Sequence, residues 1–194
     1  QNTKKLVKLG RLNERLLEFD LSILADAIKI RRDKSFKYLG IQTLTDRYFI
    51  RSDDKIMEAP QSFWMRVAMG LSLNEENKNE MAIKFYNLMS TFLYTPSTPT
   101  MFNSGTAHSQ LSSCYLNTFD DSIDGIFDGA WQEARKSKFA GGLGLDVTPF
   151  RSTGSHIAGT NGISSGLVPW LKIFNDLLIA VNQGGKRPGA GCAY

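Results

Sequence analysis

The stretch SSCYLNTFDDSIDGIFDGAWQEARKSKFAGGLGLDVTPF, residues 112–150, decides the fold class. Both of its ends have the composition of strands, and in the second one Leu143 and Leu145 alternate with smaller or polar residues. This alternation is the period of a strand with one buried face. Between the strands, apolar residues recur at helical spacing, and Asp121 or Ser122 is suited to cap the helix. Strand, helix and strand in this order predict a parallel α/β unit.

The chain before this stretch has a helical pattern. Three segments, LNERLLEFDLSILADAIKI (12–30), SFWMRVAMGLSL (62–73) and MAIKFYNLMSTFL (81–93), repeat apolar residues every three or four positions. After about residue 96, short strands and glycine turns follow, and eleven of the 17 glycines lie beyond residue 140. We predict a helical domain over residues 1–95 and an α/β domain over residues 96–194.

A second helix is predicted over residues 165–181. It is apolar around most of its circumference, and Lys172 and Asp176 are its only charged residues. Such a helix is expected to be buried on more than one side, against its own core or against a partner chain.

Bulk composition places the protein among soluble globular proteins. Its 194 residues are 42% hydrophobic, carry a net charge of +4, and contain neither a membrane span nor a secretory signal. We therefore expect a cytoplasmic protein without a membrane partner. Thirteen of the 23 Lys and Arg residues precede residue 60. Because they are neither concentrated nor interleaved with aromatic residues, they indicate a solvated basic face rather than a nucleic-acid site.

Two glycine loops offer the materials of phosphate recognition. RSTGSHIAGTNGISSG (151–166) combines an arginine with glycines and hydroxyl groups, and NQGGKRPGAG (182–191) repeats this composition after the next helix. Glycine loops are also often plain turns. If both follow parts of one parallel sheet, they are expected to gather at one set of strand ends. Neither matches a P-loop or a dinucleotide fingerprint, which excludes an ordinary kinase and a Rossmann dehydrogenase.

The chain has two cysteines, Cys114 and Cys192. Cys114 is either a buried strand cysteine or a redox thiol. The second role requires another sulfur, at about 7 Å or less between Cα atoms, and Cys192 is the only such residue in this sequence. The two histidines, His108 and His156, lack a ligand pattern, so no metal site is predicted.

The order of motifs resembles the large catalytic subunit of ribonucleotide reductase. TPSTPTMFNSGT, QLSSCYL, DDSIDGIFD, KFAGGLGLDVTPFRSTGSHIAGTNG, GLVPWLKIFND and NQGGKRPGAGCAY follow one another as in that family, and LGIQTLTDRYFIR and WMRVAMGLSL join them from the helical half. The resemblance implies a helical N-terminal domain followed by the first part of a ten-stranded α/β barrel, incomplete in this chain.

The resemblance also implies an activity, the removal of the 2′-hydroxyl of a ribonucleotide by radical chemistry. By motif position, Cys114 resembles one of the two thiols that supply electrons and end as a disulfide. Thr98 and Ser113 resemble substrate-phosphate contacts, and Gly142 resembles a residue at the substrate ribose. Cys192 matches no functional position of the family.

An allosteric site for a deoxynucleoside triphosphate or ATP is implied as well. Asp121 resembles its ribose contact, and Lys138 and Arg151 resemble its phosphate contacts. Residues 152–162, with Ile157, Ala158 and Gly159, resemble the first effector loop. Residues 182–189 resemble the second, with Gln183 and Arg187 as its readers. The helices over residues 122–137 and 165–181 resemble those that form the family's dimer interface.

Some of the family's features have no match in this sequence. The radical-bearing cysteine, the thiol partner of Cys114 and the regulatory ATP cone are among them. We therefore expect the amino-terminal piece of a catalytic subunit, either a natural split subunit or a processed or truncated product, that needs a complementary chain to complete the barrel and is inactive without it. A non-catalytic regulatory fragment that binds dNTPs is the alternative. No cofactor is expected in this chain, since a metal-containing small subunit or adenosylcobalamin would generate the radical and thioredoxin or glutaredoxin would restore the thiols.

Overall fold

The computed structural model of the chain describes residues 2–139, 141–181 and 188–194. The chain separates into two units, Gln1–Leu111 and Ser112–Tyr194. This division lies later than the predicted boundary at residue 95. The reason is that the segment around Ser104 packs within the first unit, where its hydroxyl donates a hydrogen bond to the carbonyl of Val67 over 2.7 Å.

The first unit is helical, as predicted. In chain order, its helices and a short antiparallel hairpin are α1 (Asn2–Lys8), α2 (Leu21–Ala27), α3 (Tyr38–Thr43), β1 (Arg51–Ser52), β2 (Lys55–Ile56), α4 (Pro60–Leu71), α5 (Lys78–Ser90) and α6 (Thr98–Asn103). Two 3-10 turns, Glu14–Glu18 and Ile30–Ser35, and a π-helical turn, Leu44–Tyr48, connect them.

The helix predicted over residues 12–30 is interrupted. Asp20 ends the first part and caps α2, because its carboxylate accepts hydrogen bonds from the N–H groups of Ser22 and Ile23. The first part is only a 3-10 turn, capped by Asn13. Short polar side chains compete with the backbone for hydrogen bonds and start helices more readily than they continue them.

Helix α4 lies at the centre of the first core. Phe63, Val67 and Ala68 are fully buried. Helix α5 packs on it with Ala82, Tyr86 and Met89. Leu88 is exposed, and so are Phe92 and Leu93, which lie beyond the end of α5 at Ser90. The apolar spacing over residues 81–93 thus predicted the helix and part of its buried face, but it extended beyond the observed end of α5 at Ser90.

The second unit contains the predicted strand, helix and strand. Its elements are β3 (Cys114–Thr118), α7 (Ile123–Lys138), β4 (Gly142–Asp146), β5 (His156–Ile157), β6 (Gly162–Ile163), α8 (Val168–Ala180) and β7 (Gly191–Ala193). Strands β3, β4 and β7 form a parallel sheet in that order. The helical first unit and this partial barrel sheet confirm the predicted fold class.

The two faces of the parallel sheet differ. Leu143 and Leu145 point into a core that includes Phe119 and Phe174, as the alternation predicts. The opposite face carries Gly144, where an added Cβ would lie 2.5 Å from Leu116 Cδ2. Glycine therefore lets the exposed Leu116 side chain lie over the neighbouring strand.

Both long helices of the second unit keep an exposed apolar side. On α7, Ile123, Phe127 and Trp131 are exposed while Ile126 and Ala130 are buried. On α8, Val168, Ile173 and Ile179 are exposed. Among the described residues no helix has the length and apolarity to cross a membrane.

Candidate functional site

The amino ends of β3 and β4 bring three predicted substrate-side residues together. Cys114 lies opposite Gly142 in the sheet register. The N–H of Gly142 donates a hydrogen bond to the carbonyl of Ser113 over 2.7 Å. The parallel pairing of the strands thus makes Ser113, Cys114 and Gly142 one cluster. The fourth predicted residue, Thr98, belongs to the first unit, where its hydroxyl lies 3.2 Å from that of Tyr48.

Cys114 is exposed rather than buried, so the structure contradicts the reading of a buried strand cysteine. The Ser113 hydroxyl donates to its sulfur over 3.5 Å. Cys192 is also free and exposed, but it lies opposite Gly144 on the far side of β4. Strands are about 4.8 Å apart, so roughly 10 Å separate the two cysteines across the sheet, beyond the reach of a disulfide. The register excludes Cys192 as the direct partner of Cys114.

A second cluster lies at the carboxyl ends of β3 and β4. Arg151 donates from Nε to Asp121 Oδ2 over 2.6 Å and from Nη2 to the Asp121 carbonyl over 3.1 Å. The two side chains keep 36% and 28% of their exposure. They line a cavity of about 170 Å³, whose remaining wall is mostly apolar and includes Ile126, Phe150 and Trp170.

The pairing refines the predicted roles of Asp121 and Arg151. Arg151 donates one hydrogen bond to the carboxylate and one to the backbone carbonyl of Asp121, while Asp121 Oδ1 and Arg151 Nη1 make no hydrogen bond within the described part of the chain. One carboxylate oxygen and one guanidinium nitrogen are therefore available to a ligand. Their assignment to ribose and phosphate stays a prediction.

The first glycine loop is an ordered hairpin beside this cavity. Strands β5 and β6 pair antiparallel, and His156 Nε2 lies 2.9 Å from Asn161 Oδ1 across the turn. Gly154 has φ +87°, a conformation that favours glycine. Ile157 lines the cavity. Ala158 and Gly159 form the tip, where an added Cβ on Gly159 would meet nothing within 4 Å.

Lys138 lies away from this cluster within one chain. It is the last residue of α7, whose cap, Ser122, directly follows Asp121. Sixteen helical residues span about 24 Å, which is longer than a nucleotide reaches from its ribose to its last phosphate. One ligand therefore does not contact Asp121 and Lys138 of the same chain in this arrangement.

The second glycine loop falls mostly outside the described residues, and Gln183 and Arg187 are among those not described. Its last part, residues 188–190, leads into the amino end of β7, where the N–H of Leu143 donates to the carbonyl of Ala190 over 3.3 Å. The first loop instead follows the carboxyl end of β4. The expectation that both loops gather at one set of strand ends is wrong for the described part, because the second loop precedes a parallel strand and the first loop follows one.

Asp146 lies on the sheet face opposite the buried leucines, and the sequence analysis did not identify it. Hydrogen bonds from Thr148 and, to a smaller extent, from Thr118 hold the pKa of its carboxyl below the ordinary value. The alternation that buries Leu143 and Leu145 places Asp146 on the same face as Gly142 and Gly144, which was the available signal. Within the described residues, no group of three or more His, Cys, Asp or Glu is arranged to hold a metal ion.

Comparison with protein families gives two matches in series. The ribonucleotide reductase all-alpha domain matches residues 34–109, and the ribonucleotide reductase barrel domain matches residues 112–194. The gap between the two matches coincides with the division between the structural units at residues 111 and 112.

Individual relatives agree with this assignment. The chain is 57% identical over 185 residues to the ribonucleoside-diphosphate reductase subunit alpha of Chlamydia trachomatis. The aligned region covers 95% of this chain and 18% of that protein. The chain is 45% identical to the subunit alpha of Helicobacter pylori (91% of this chain, 23% of the relative) and 46% identical to the large chain of Schizosaccharomyces pombe (91% and 21%). The chain thus spans about a fifth of the length of these relatives.

Proposed function

The chain belongs to the ribonucleotide reductase large-subunit family, and from this membership we propose that it forms the amino-terminal part of a catalytic subunit that reduces ribonucleotides to deoxyribonucleotides. The observation that carries the proposal is the match of both family domains, in order, to the two structural units. Since the relatives are named for ribonucleoside diphosphates, we take diphosphates as the substrates.

Cys114 supplies one of the two thiols that the reaction consumes. In the net reaction the 2′-hydroxyl leaves as water, a hydrogen takes its place, and two thiols give up two electrons and two protons to become a disulfide. Cys114 is suited to this role by its exposure and by its position beside Gly142. A glycine at that position lets a ribose approach the backbone. Ser113 and Thr98 are the proposed donors to the substrate phosphates.

The second thiol comes from outside these 194 residues. The sequence holds two cysteines, and the register separates Cys192 from Cys114. We propose that the rest of the barrel, on a complementary chain or on a longer form of this one, supplies this thiol, and that residues 1–194 alone are inactive. The radical is generated outside this chain, by a metal-containing small subunit or by adenosylcobalamin, and thioredoxin or glutaredoxin reduces the disulfide again.

The cavity beside Asp121 and Arg151 is the proposed site for a dNTP or ATP effector. Arg151 holds Asp121 by one hydrogen bond to its carboxylate and one to its backbone carbonyl, and the remaining carboxylate oxygen is the proposed acceptor for a ribose hydroxyl. Arg151 Nη1 and the backbone of the hairpin loop, with Ile157, Ala158 and Gly159, face the phosphates. Gln183 and Arg187 of the second loop report the effector's identity to the substrate side.

Completion of this effector site requires a second copy of the chain. Lys138 lies about 24 Å along α7 from Asp121. A two-fold dimer that packs α7 against its symmetry mate in antiparallel orientation brings Lys138 of one copy toward Asp121 of the other. The exposed Ile123, Phe127 and Trp131 supply the apolar contact for that dimer.

The test is deoxynucleotide formation by the chain alone and by the complex that copurifies with it. We expect no product from the chain alone, product from ribonucleoside diphosphates with the complex, and loss of product with Cys114→Ser. Cys192→Ser is the matched control and should retain activity. Turnover by the purified chain alone would contradict the need for a complementary chain. A complex that binds dNTPs but forms no product would identify a regulatory fragment instead.

A further inference from the structure

A buried tyrosine of the first unit contacts the predicted phosphate-binding threonine. The hydroxyl oxygen of Tyr48 lies 3.2 Å from Thr98 Oγ1. We propose that Tyr48 is a positioning residue that sets the donor direction of the Thr98 hydroxyl toward the phosphate of a nucleoside diphosphate. This inference rests on the proposed function, which supplies the phosphate.

The position of Tyr48 follows from an unusual backbone turn. Helix α3 passes into a π-helical turn over Leu44–Tyr48, and the N–H of Phe49 closes it by donating to the carbonyl of Leu44 over 3.0 Å. A π turn adds one residue to a helical turn and is frequent at functional sites. It ends at Tyr48 and so determines where this ring enters the core.

The ring itself is fixed by aromatic neighbours. Tyr48 stacks on Phe102 at 4.4 Å with an interplanar angle of 15°, and it meets Phe63 edge-on at 6.4 Å. Phe102 and Thr98 both belong to α6. Tyr48 therefore contacts α6 at two places, at Phe102 through its ring and at Thr98 through its hydroxyl. The second contact favours one orientation of the Thr98 side chain.

The chemistry of phosphate sets the direction of the hydrogen bonds. At neutral pH, phosphate oxygens act as acceptors, so Thr98 has to donate its single hydroxyl hydrogen to them. Its oxygen is then left to accept, and Tyr48 is the donor at hand. A chain from Tyr48 to Thr98 to phosphate strengthens both bonds, because each donor polarises the next. Thr98 is only partly buried, so part of its surface is open to solvent.

Tyr86 provides a matched comparison in the same unit. It is fully buried, its hydroxyl donates to Gln61 Oε1 over 2.6 Å, and it accepts from the N–H of Lys29 over 2.9 Å. These bonds hold helices together and reach no predicted substrate residue. Tyr86→Phe therefore removes a buried tyrosine hydroxyl without touching Thr98.

The experiment compares Tyr48→Phe with Tyr86→Phe in the active complex. Phenylalanine keeps the ring packing and removes only the hydroxyl. We expect Tyr48→Phe to raise KM for the ribonucleoside diphosphate roughly 3- to 10-fold, the value of one hydrogen bond, with kcat and dNTP affinity unchanged. Tyr86→Phe should lower the unfolding midpoint and leave KM as it is.

A double-mutant cycle distinguishes positioning from stability. In a Thr98→Val background, Tyr48→Phe should have no further effect on KM, whereas in a Thr98→Ser background, which keeps the hydroxyl, it should still raise KM. An unchanged KM in Tyr48→Phe, an equal rise in Tyr86→Phe, or additive effects with Thr98→Val would overturn the inference. If the wild-type complex forms no deoxynucleotide, the proposed function fails first, so the two failures are distinguishable.

Discussion

Two arginine–carboxylate pairs with the same 2.6 Å separation have opposite surroundings. In the first unit, Arg66 Nε binds Glu58 Oε1, and both side chains are at most 3% exposed. In the second, Arg151 Nε binds Asp121 Oδ2, and about a third of each side chain remains exposed beside a cavity. The same chemistry thus occurs once in a core and once at a surface open to ligand.

The hydrogen bonds around each pair extend this contrast. Arg66 also donates to the carbonyls of Ser104 and Met101, and Glu58 accepts from the N–H of Ile50. The Arg66 pair is therefore complete within its unit and joins α4, α6 and the hairpin region. The Arg151 pair leaves one oxygen and one nitrogen without a hydrogen bond among the described residues. A buried pair whose hydrogen bonds are all made indicates a structural role. An exposed pair with polar atoms that lack a hydrogen bond indicates a role in binding.

The largest expected effect is on the stability of the first unit. Arg66→Met leaves the Glu58 carboxylate buried and unpaired, which we expect to cost about 3–5 kcal/mol of unfolding free energy. Urea denaturation followed by circular dichroism measures it. Arg151→Met is the matched control and should cost less than about 1 kcal/mol, as is usual for exposed pairs. Equal losses from the two substitutions would contradict the contrast between the pairs.

An intermediate effect concerns which copy of the chain supplies the Lys138 that completes the site at Asp121 and Arg151. Asp121→Asn and Lys138→Ala should each weaken dNTP binding roughly 10- to 100-fold, since each loses a charged hydrogen bond. If Lys138 acts across the dimer, an equimolar mixture of the two variants should recover about a quarter of the wild-type sites, because each mixed dimer has one intact site of two. Titration of bound dNTP measures this fraction. Recovery of no sites would mean that Lys138 acts within its own chain or not at all.

The smallest effect concerns a third pair, Lys78 and Glu18, which lies at the surface of the first unit. Lys78, by hydrogen bonding and charge, holds the pKa of Glu18 below its ordinary value. A lowered carboxyl pKa stabilises the fold above the unfolded-state pKa, and this contribution is lost as pH falls through the folded-state pKa. Lys78→Met should raise the pKa of Glu18, measured by NMR titration, with no resolvable change in unfolding at neutral pH. A clear loss of stability at pH 7 would contradict the expectation that a surface pair contributes little to stability.

Local sequence patterns were sufficient to predict the helices and strands but not the contacts between residues distant in sequence. The alternation at Leu143 and Leu145 predicted β4 and its buried face, and the helical spacing after Ser122 predicted α7. These signals are local because the side-chain periods of strand and helix are local. The signal for the interruption at Asp20 was also local. It was not recognised as a helix cap because the apolar spacing continues on either side of it.

Contacts distant in sequence were beyond such patterns. The bond from Arg151 to Asp121 joins residues 30 apart, and that from Tyr48 to Thr98 joins residues 50 apart. The resemblance to the family predicted Asp121, Arg151 and Thr98 as site residues. It did not predict that Arg151 would bind Asp121. Tyr48 carried no signal of its own, since its role depends on a π turn that no apolar period encodes.

Calorimetric titration of the chain with a deoxynucleoside triphosphate tests most directly the claim that the Asp121 and Arg151 pair is a binding site. We predict saturable binding to the wild type, at least tenfold weaker binding to Arg151→Met, and unaltered binding to a variant of comparable surface charge loss, Lys78→Met. Wild-type protein that binds no deoxynucleotide, or an Arg151→Met variant that binds as tightly as the wild type, would contradict it.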